Sequence, residues 1–157
     1  MKCLKCDKEI PEGSNFCNHC GCPISANDGY IDLGLPSGTK WKAENEIGYY
    51  EFGEAVSKYG NRLPTREQLE ELKNQCQWEW MGDGYRVTGP NGNAIVLPAA
   101  GYRGCNGGVV CVGSFGYYWS STPNGSDYAW YLYFDSSSVL MCRNNRCDGR
   151  SVRLVQD

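Results

Sequence analysis

The sequence predicts an α+β domain carried behind a small cysteine-held module, and three observations predict it. Two Cys-x2-Cys pairs open the chain, Cys3/Cys6 and Cys17/Cys20. A capped, amphipathic helical segment follows Leu63-Pro64. From Tyr85 onward all signals are strand and turn, so helices and strands are segregated along the chain. A length of 157 residues leaves room for one ordinary domain plus the module.

The opening module comes first. Each Cys-x2-Cys folds two thiolates onto one side of a tight turn, and residues 7–16 separate the pairs. Four sulfurs brought together this way suit tetrahedral zinc. The piece is too short to bury a core, so metal binding would be its folding energy. Ile10-Pro11-Glu12-Gly13 reads as a turn, and Phe16 as one packing residue. Two disulfides or a redox pair are the competing chemistry. MKCLKCDKEI lacks the apolar core of a signal peptide, which argues against disulfides. The run KCLKCDKEIPEGSNFCNHCGCP resembles the short zinc ribbons at the start of many bacterial and phage proteins. The ligands expected are Cys3, Cys6, Cys17 and Cys20, with His19 exposed and Cys22 a spare thiol. The ribbon spans 1–24, a polar linker 25–29 (Ser25 to Gly29), and the main domain 30–157.

In the main domain, Tyr30 to Trp41 reads as strand, Gly/Pro turn, strand. Glu51 to Lys58 reads as a short helix ending at Gly60. Thr65-x-x-Gln68 is a capping box, so a helix starts there. Leu69, Leu72 and Cys76 share one helical face, and Glu67, Glu70, Glu71 and Lys73 take the others. Cys76 is therefore a core thiol. Tyr85–Thr88 and Ala94–Pro98 flank the turn Gly89–Asn93 and form a hairpin. Trp119–Thr122, Ala129–Phe134 and Ser151–Val155 read as further strands. In the second, Trp130, Leu132 and Phe134 alternate with Tyr131, Tyr133 and Asp135, the first set facing the core and the second solvent.

Composition divides the chain as sharply as the motifs do. The last Lys is Lys73 and the last Glu is Glu79. Between Arg103 and Arg150 there is no Lys, Glu, Gln, His or Ile, and the stretch is crowded with Gly, Ser, Asn, Tyr, Cys, Arg and Asp. Tyr and Trp give rigid contact area at low entropy cost, and small polar residues give adaptable hydrogen bonding. The C-terminal half thus reads as a recognition surface. A net charge of −3 with no basic stripe argues against a nucleic-acid partner. No apolar run approaches the ~20 residues of a membrane span. A cytoplasmic location is expected, or a virion-associated one if a phage encodes the chain.

DLGLPSGTKW, RLPTREQLEEL, NAIVLPAAGYR, YYWSSTP, AWYLYF and SVRLV follow one another over Tyr30 to Gln156. In that order they resemble the Fibrobacter major paralogous domain family, which implies a C-type lectin-like fold. RLPT before an acidic helix, with the closing VRLV, is also similar to the formylglycine-generating branch of that fold. The ending looks like the variable proteins of diversity-generating retroelements, in which an error-prone reverse transcriptase rewrites template adenines near the 3′ end of the gene. Adenine replacement in AAC or AAT codons cannot yield Lys, Glu, Gln, Met or Trp. The composition of Arg103–Arg150 then follows if Met141, Trp119 and Trp130 are fixed scaffold. A lectin-like binder that never varies is the plainer alternative.

The resemblance implies a non-catalytic protein whose variable surface binds an unknown macromolecular ligand, protein or glycan. Its expected contact residues are Tyr131, Tyr133, Asp135, Ser137, Leu140, Cys142, Arg143, Asn144, Asn145, Cys147, Asp148 and Arg150. Cys105, Asn106, Val110, Cys111 and Phe115 join them from the preceding loop. The scattered Cys105, Cys111, Cys142 and Cys147 then need no joint purpose, and their irregular spacing argues against a second metal site. A thiol enzyme of the formylglycine-generating type would use Cys142 and Cys147. Nothing flanking them depresses a thiol pKa, and His19 is the sole histidine, so no Ser/His/Asp set can form. Asp127, Asp135 and Asp148 are isolated, with no tight acidic cluster for calcium.

Overall fold

The computed structural model describes residues 2–3, 6–11, 17–21 and 29–156. Phe16, Cys22 and the expected linker up to Asp28 lie outside the described residues. The fold is mixed: small antiparallel sheets with two short helices.

Strands β1 (Tyr30–Asp32) and β2 (Lys40–Lys42) pair across the Gly/Pro turn. The last strand of the chain, β11 (Val155–Gln156), pairs with the other edge of β2, setting Val155 opposite Trp41. The two ends of the domain are thereby closed into one sheet. Helix α1 (Phe52–Tyr59) starts at a capping box between Glu51 and Glu54 and buries Phe52, Ala55 and Tyr59. Helix α2 (Arg66–Gln75) starts at the expected box, where Thr65 accepts from the Gln68 backbone and Gln68 reaches back. Leu69 and Leu72 are buried as expected, and Cys76 is half-buried against the same core.

A meander follows. β3 (Gln77–Trp80) pairs with β4 (Gly84–Thr88), and β4 with β5 (Ala94–Pro98) in the expected hairpin. A small hairpin joins β6 (Tyr102–Arg103) to β7 (Val109–Val110). The largest sheet is β10 (Val139–Asn145), β9 (Tyr128–Phe134) and β8 (Gly116–Asn124), in that spatial order. Strands β3 and β10 were not anticipated: QWEW alternates but is only four residues long and directly follows a helix, and VLMCRNN carries no simple polar alternation. Ser151–Val155 is strand only at its end. Ser151 makes an isolated bridge to Tyr118, and Val152, Arg153 and Leu154 are buried without a ladder.

The β8–β9–β10 sheet is covered on one face and over part of the other. Cross-strand partners share a face, so one face carries Tyr118, Leu132 and Met141, then Phe134 and Val139. These pack into the main core with Trp41, Leu69, Leu72 and Tyr85. Gly116 stands opposite Phe134, and a Cβ there would come within 2.1 Å of the ring, so only glycine fits. The other face carries Trp119, Tyr131 and Cys142, then Tyr117, Tyr133 and Leu140. Trp119 and Tyr131 join a second core with Phe52, Tyr59 and Leu63.

This double coverage corrects the alternation read in β9. Leu132 and Phe134 are buried as expected, but so is Tyr131, at 6% exposure. Trp130, expected inside, is only half-buried and supports the Arg66 guanidinium 3.8 Å above its ring. When both faces of a strand are packed, alternation separates two cores and no longer separates core from solvent.

Candidate functional site

At the N-terminus, the Cys3 and Cys20 sulfurs lie 3.7 Å apart and those of Cys6 and Cys17 3.6 Å apart. All four lie within 4.8 Å of one another. The two turns match. Asp7 donates its amide to the Cys3 carbonyl, and Gly21 donates to that of Cys17. Both residues sit at positive φ, 57° and 72°. The His19 amide points at the Cys17 sulfur, 3.4 Å away, while the His19 side chain is exposed. Ile10 packs on Cys3 and Cys17 as the module's small core. Metal–sulfur bonds of ~2.3 Å in a tetrahedron place sulfurs roughly 3.8 Å apart, which this cluster fits without rearrangement. None of the four is joined in a disulfide.

The second feature is the open side of the β8–β9–β10 sheet. Tyr117 lies at its centre, its ring 4.9 Å from Tyr102, 5.8 Å from Tyr131 and 5.4 Å from Tyr133. Phe115 stacks on Tyr133 at 5.9 Å. Leu140, 48% exposed, stands beside Tyr133 in the ladder, and Cys142 stands beside Tyr131. The β6–β7 hairpin flanks this face and exposes Val109 and Val110, with Val112 just beyond. Cys111, half-buried at φ +63°, turns the chain from the hairpin back towards Phe115. Asn106 accepts from the Gly108 amide and shapes the hairpin loop. An open depression of about 430 Å³ is lined by Tyr102, Cys105, Asn106, Val110 and Asp148, among others.

The expected contact residues divide between the two sides of the sheet. Loop residues Cys105, Asn106, Val110, Cys111 and Phe115 and strand residues Tyr133, Leu140, Cys142 and Asn144 lie along one side of the sheet. Asp135 and Ser137 lie at its edge. The Asp135 carboxylate accepts from the Ser137 amide and from the Tyr133 hydroxyl at 2.8 Å, and these bonds lower its pKa.

Four expected contacts need correction. Arg143 and Asn145 pair with Trp130 and Tyr128, so strand alternation puts them on the opposite face. Tyr131 is buried. Arg150 is only 2% exposed. Its guanidinium lies 4.1 Å from the Tyr131 ring centre and 4.3 Å from that of Trp119. It donates to the Asn145 carbonyl and to Asp148, each at 3.1 Å. Its Nε has no hydrogen-bond partner and is buried. Burial lowers the Arg150 pKa, with Tyr131 and Asp148 opposing. Arg150 is therefore an interior pillar beneath the aromatic face. Sequence reading missed Tyr102 and Tyr117. The second was legible, since Tyr117 and Trp119 continue one alternating face of the strand read from Trp119.

The cysteines also differ from expectation. Cys105 and Cys147 are joined in a disulfide across 42 residues, with Cα atoms 5.2 Å apart. Arg103 and Gly149 exchange two backbone hydrogen bonds of 2.7 Å, and Cys105 and Cys147 stand opposite each other two residues beyond that bridge. Cross-strand register brings them together, which irregular sequence spacing conceals. Cys142 is free, and burial raises its thiol pKa against the lowering influence of Arg150.

The arrangement defines a small mixed domain behind a four-cysteine module, with one half-open aromatic face. The model of a domain of unknown function, DUF8237, matches residues 65–155, and the chain belongs to that family. The matched segment runs from the α2 capping residue to the start of β11 and includes the whole aromatic sheet. No curated protein and no solved structure matches the chain. Among the described residues, no helix is long and apolar enough to cross a membrane.

Proposed function

We propose that this chain is a non-catalytic ligand-binding protein of C-type lectin-like fold, displaying a C-terminal surface diversified by a retroelement. The observation that carries the reading is the aromatic face. Residues drawn from Cys105–Phe115 and from β9 and β10 form one patch whose side chains are half-exposed, while the strands beneath are anchored on the other side. Contacts come from Tyr117, Tyr133, Leu140, Cys142, Asn144 and the hairpin. Tyr131 and Arg150 support them from inside. The ligand is a macromolecule, protein or glycan, since the patch is broad and open rather than a closed cleft. The raised thiol of Cys142 supports binding over thiol catalysis, which needs a depressed pKa.

The opening module is a zinc ribbon. Among its described residues Ile10 is the one buried apolar side chain besides the cysteines, so zinc supplies the module's folding energy. A strong chelator should make residues 2–21 protease-sensitive while the domain from residue 29 onward keeps its unfolding transition. Unchanged proteolysis after verified metal loss would overturn the zinc reading.

Sequencing the DNA around the gene tests diversification. The expected result is a nearby near-copy of the 3′ segment, differing at template adenines and accompanied by a reverse transcriptase gene. Independent copies should then vary at Leu140, Cys142 and Asn144 and keep Trp119, Leu132 and Phe134. Absence of the repeat would favour an invariant binder of the same fold. The Cys105–Cys147 pair favours that second reading, because two positions that depend on each other are poorly served by independent random codons.

A further inference from the structure

We propose that Cys105, Cys147 and Asp148 form a second metal site, open only when the Cys105–Cys147 bond is reduced, that takes a thiophilic divalent cation such as Zn2+ or Cd2+. This goes beyond ligand binding by the aromatic face and does not depend on diversification.

The donor atoms of all three residues lie within 4.8 Å of one another. Both cysteines are exposed, so reductant and cation can reach them. The frame is fixed independently of the disulfide. Arg103 and Gly149 hold the two backbone segments together through a reciprocal pair of hydrogen bonds, and reduction leaves that bridge in place. Asp148 is already aimed. Its Oδ2 accepts from the buried Arg150, and its Oδ1 lies 3.2 Å from the Cys105 sulfur. A carboxylate oriented from behind by a hydrogen bond is the usual support for a metal ligand. The depression beside Cys105 and Asp148 leaves room for water or a ligand atom to complete a tetrahedron.

The charges close as well. Two thiolates and one carboxylate are balanced by a divalent cation together with the Arg150 guanidinium. Thiolate donors select soft or borderline cations over Mg2+ and Ca2+. The redox step is thiol–disulfide exchange. A dithiol reductant gives up two electrons and two protons and becomes a disulfide. The Cys105–Cys147 bond breaks and two thiols form. The cation then displaces both thiol protons to solvent and binds the sulfurs. A disulfide oxidant reverses the exchange: it accepts two electrons and two protons from solvent to become two thiols, the Cys105–Cys147 bond re-forms, and the cation is released.

The test is anaerobic titration of the full chain with Cd2+, followed by thiolate-to-metal charge-transfer absorption, on oxidised and on fully reduced protein. The expected result is one equivalent bound by the oxidised chain, at the N-terminal four-cysteine cluster, and two by the reduced chain. The double variant Cys105→Ser/Cys147→Ser should bind one equivalent in either state. Asp148→Asn should keep the first equivalent and weaken the second by at least about tenfold. A reduced chain that binds a single equivalent overturns the proposal. So does a second equivalent that survives in the double variant, which would assign it to Cys22, Cys76, Cys111 or Cys142 instead.

Discussion

Tyr117 and Tyr118 are chain neighbours on one strand, and they face opposite ways. Tyr118 is 1% exposed, accepts from the Asn45 amide at 3.0 Å, donates to the Pro98 carbonyl at 2.7 Å and stacks on Phe134. The Tyr117 hydroxyl makes no hydrogen bond among the described residues, and its ring is held by three other tyrosines. One face of the sheet is specified by shape and hydrogen bonds together; on the other, ring contacts predominate around Tyr117, with the Tyr133–Asp135 bond at the edge. A face held by ring contacts can change its side chains and keep its backbone. The closed face cannot, because each replacement there leaves a cavity or an orphaned polar group.

The largest effect expected is on the closed face. Phe134→Ala removes contacts with Trp78, Tyr85 and Tyr118 and should cost about 3–5 kcal/mol. Tyr133→Ala, one residue earlier on the open face, should cost less than about 1.5 kcal/mol. Urea denaturation of both variants checks the pair. Equal losses would show that the two faces are equally structural, and the open one would no longer stand as a recognition surface.

Arg150 sits under the open face and should be the next most sensitive position. Arg150→Lys keeps the charge but loses the planar group lying against Trp119 and Tyr131, together with the two-acceptor geometry. A loss of roughly 1.5–3 kcal/mol is expected, measured the same way. A neutral outcome would return Arg150 to the surface contacts that sequence reading assigned it.

The contrast explains what the sequence disclosed and what it withheld. Thr65 and Gln68, the Gly89–Asn93 turn and Leu69/Leu72 announce their elements because each signal is local. The composition of Arg103–Arg150 raised the expectation of a contact surface; several of its loop and strand residues lie on one side of the sheet, while Arg143 and Asn145 lie on the other. What failed needed long-range information. Tyr131 looked solvent-facing because alternation reveals two faces but not that α1 and Leu63 cover the second. Arg150 looked like a surface charge because the rings that cover it, Trp119 and Tyr131, are brought there by pairing and not by proximity along the chain. Cys105 and Cys147 looked unrelated because the bridge between Arg103 and Gly149 spans a separation no local pattern encodes.

Alkaline pH should act on both faces, since burial raises the pKa of Tyr117, Tyr131 and Tyr133 as well as that of Tyr118, and Tyr118 isolates a share that belongs to the closed face. Burial pushes the Tyr118 hydroxyl up to about 12, partly offset by Arg153 and by its bond with Asn45. A raised folded-state pKa means stability is fully present below the unfolded value and is lost as pH climbs through the folded one. Stability should therefore fall between about pH 10 and 12, with Tyr118 contributing roughly 2–3 kcal/mol of the loss. Tyr118→Phe removes the Tyr118 share of that slope and leaves the share of the other buried tyrosines, at a cost of about 1–2 kcal/mol at neutral pH from the unpaired Pro98 carbonyl and Asn45 amide. Denaturation midpoints across that pH window, wild type against variant, would reveal the difference. Identical slopes would mean Tyr118 ionises without opening the core.

Tyr117→Phe should do least to the fold and most to separate the two faces. The change removes a hydroxyl that bonds to nothing among the described residues, so stability should stay within about 0.5 kcal/mol. Burial already raises the pKa of that hydroxyl, so it is neutral at physiological pH and available as a hydrogen-bond donor. On a contact surface, a half-buried tyrosine ringed by other aromatics is the kind of position where binding energy concentrates. If the open face is the binding site, a ligand selected against the wild-type protein, for instance from a peptide display library, should lose about tenfold in affinity for Tyr117→Phe. The same ligand should bind Arg143→Ala unchanged, because Arg143 lies on the opposite face beside Trp130. A reversed pattern, with Arg143 sensitive and Tyr117 silent, would move recognition to the other side of the sheet and make the tyrosines a third layer of core.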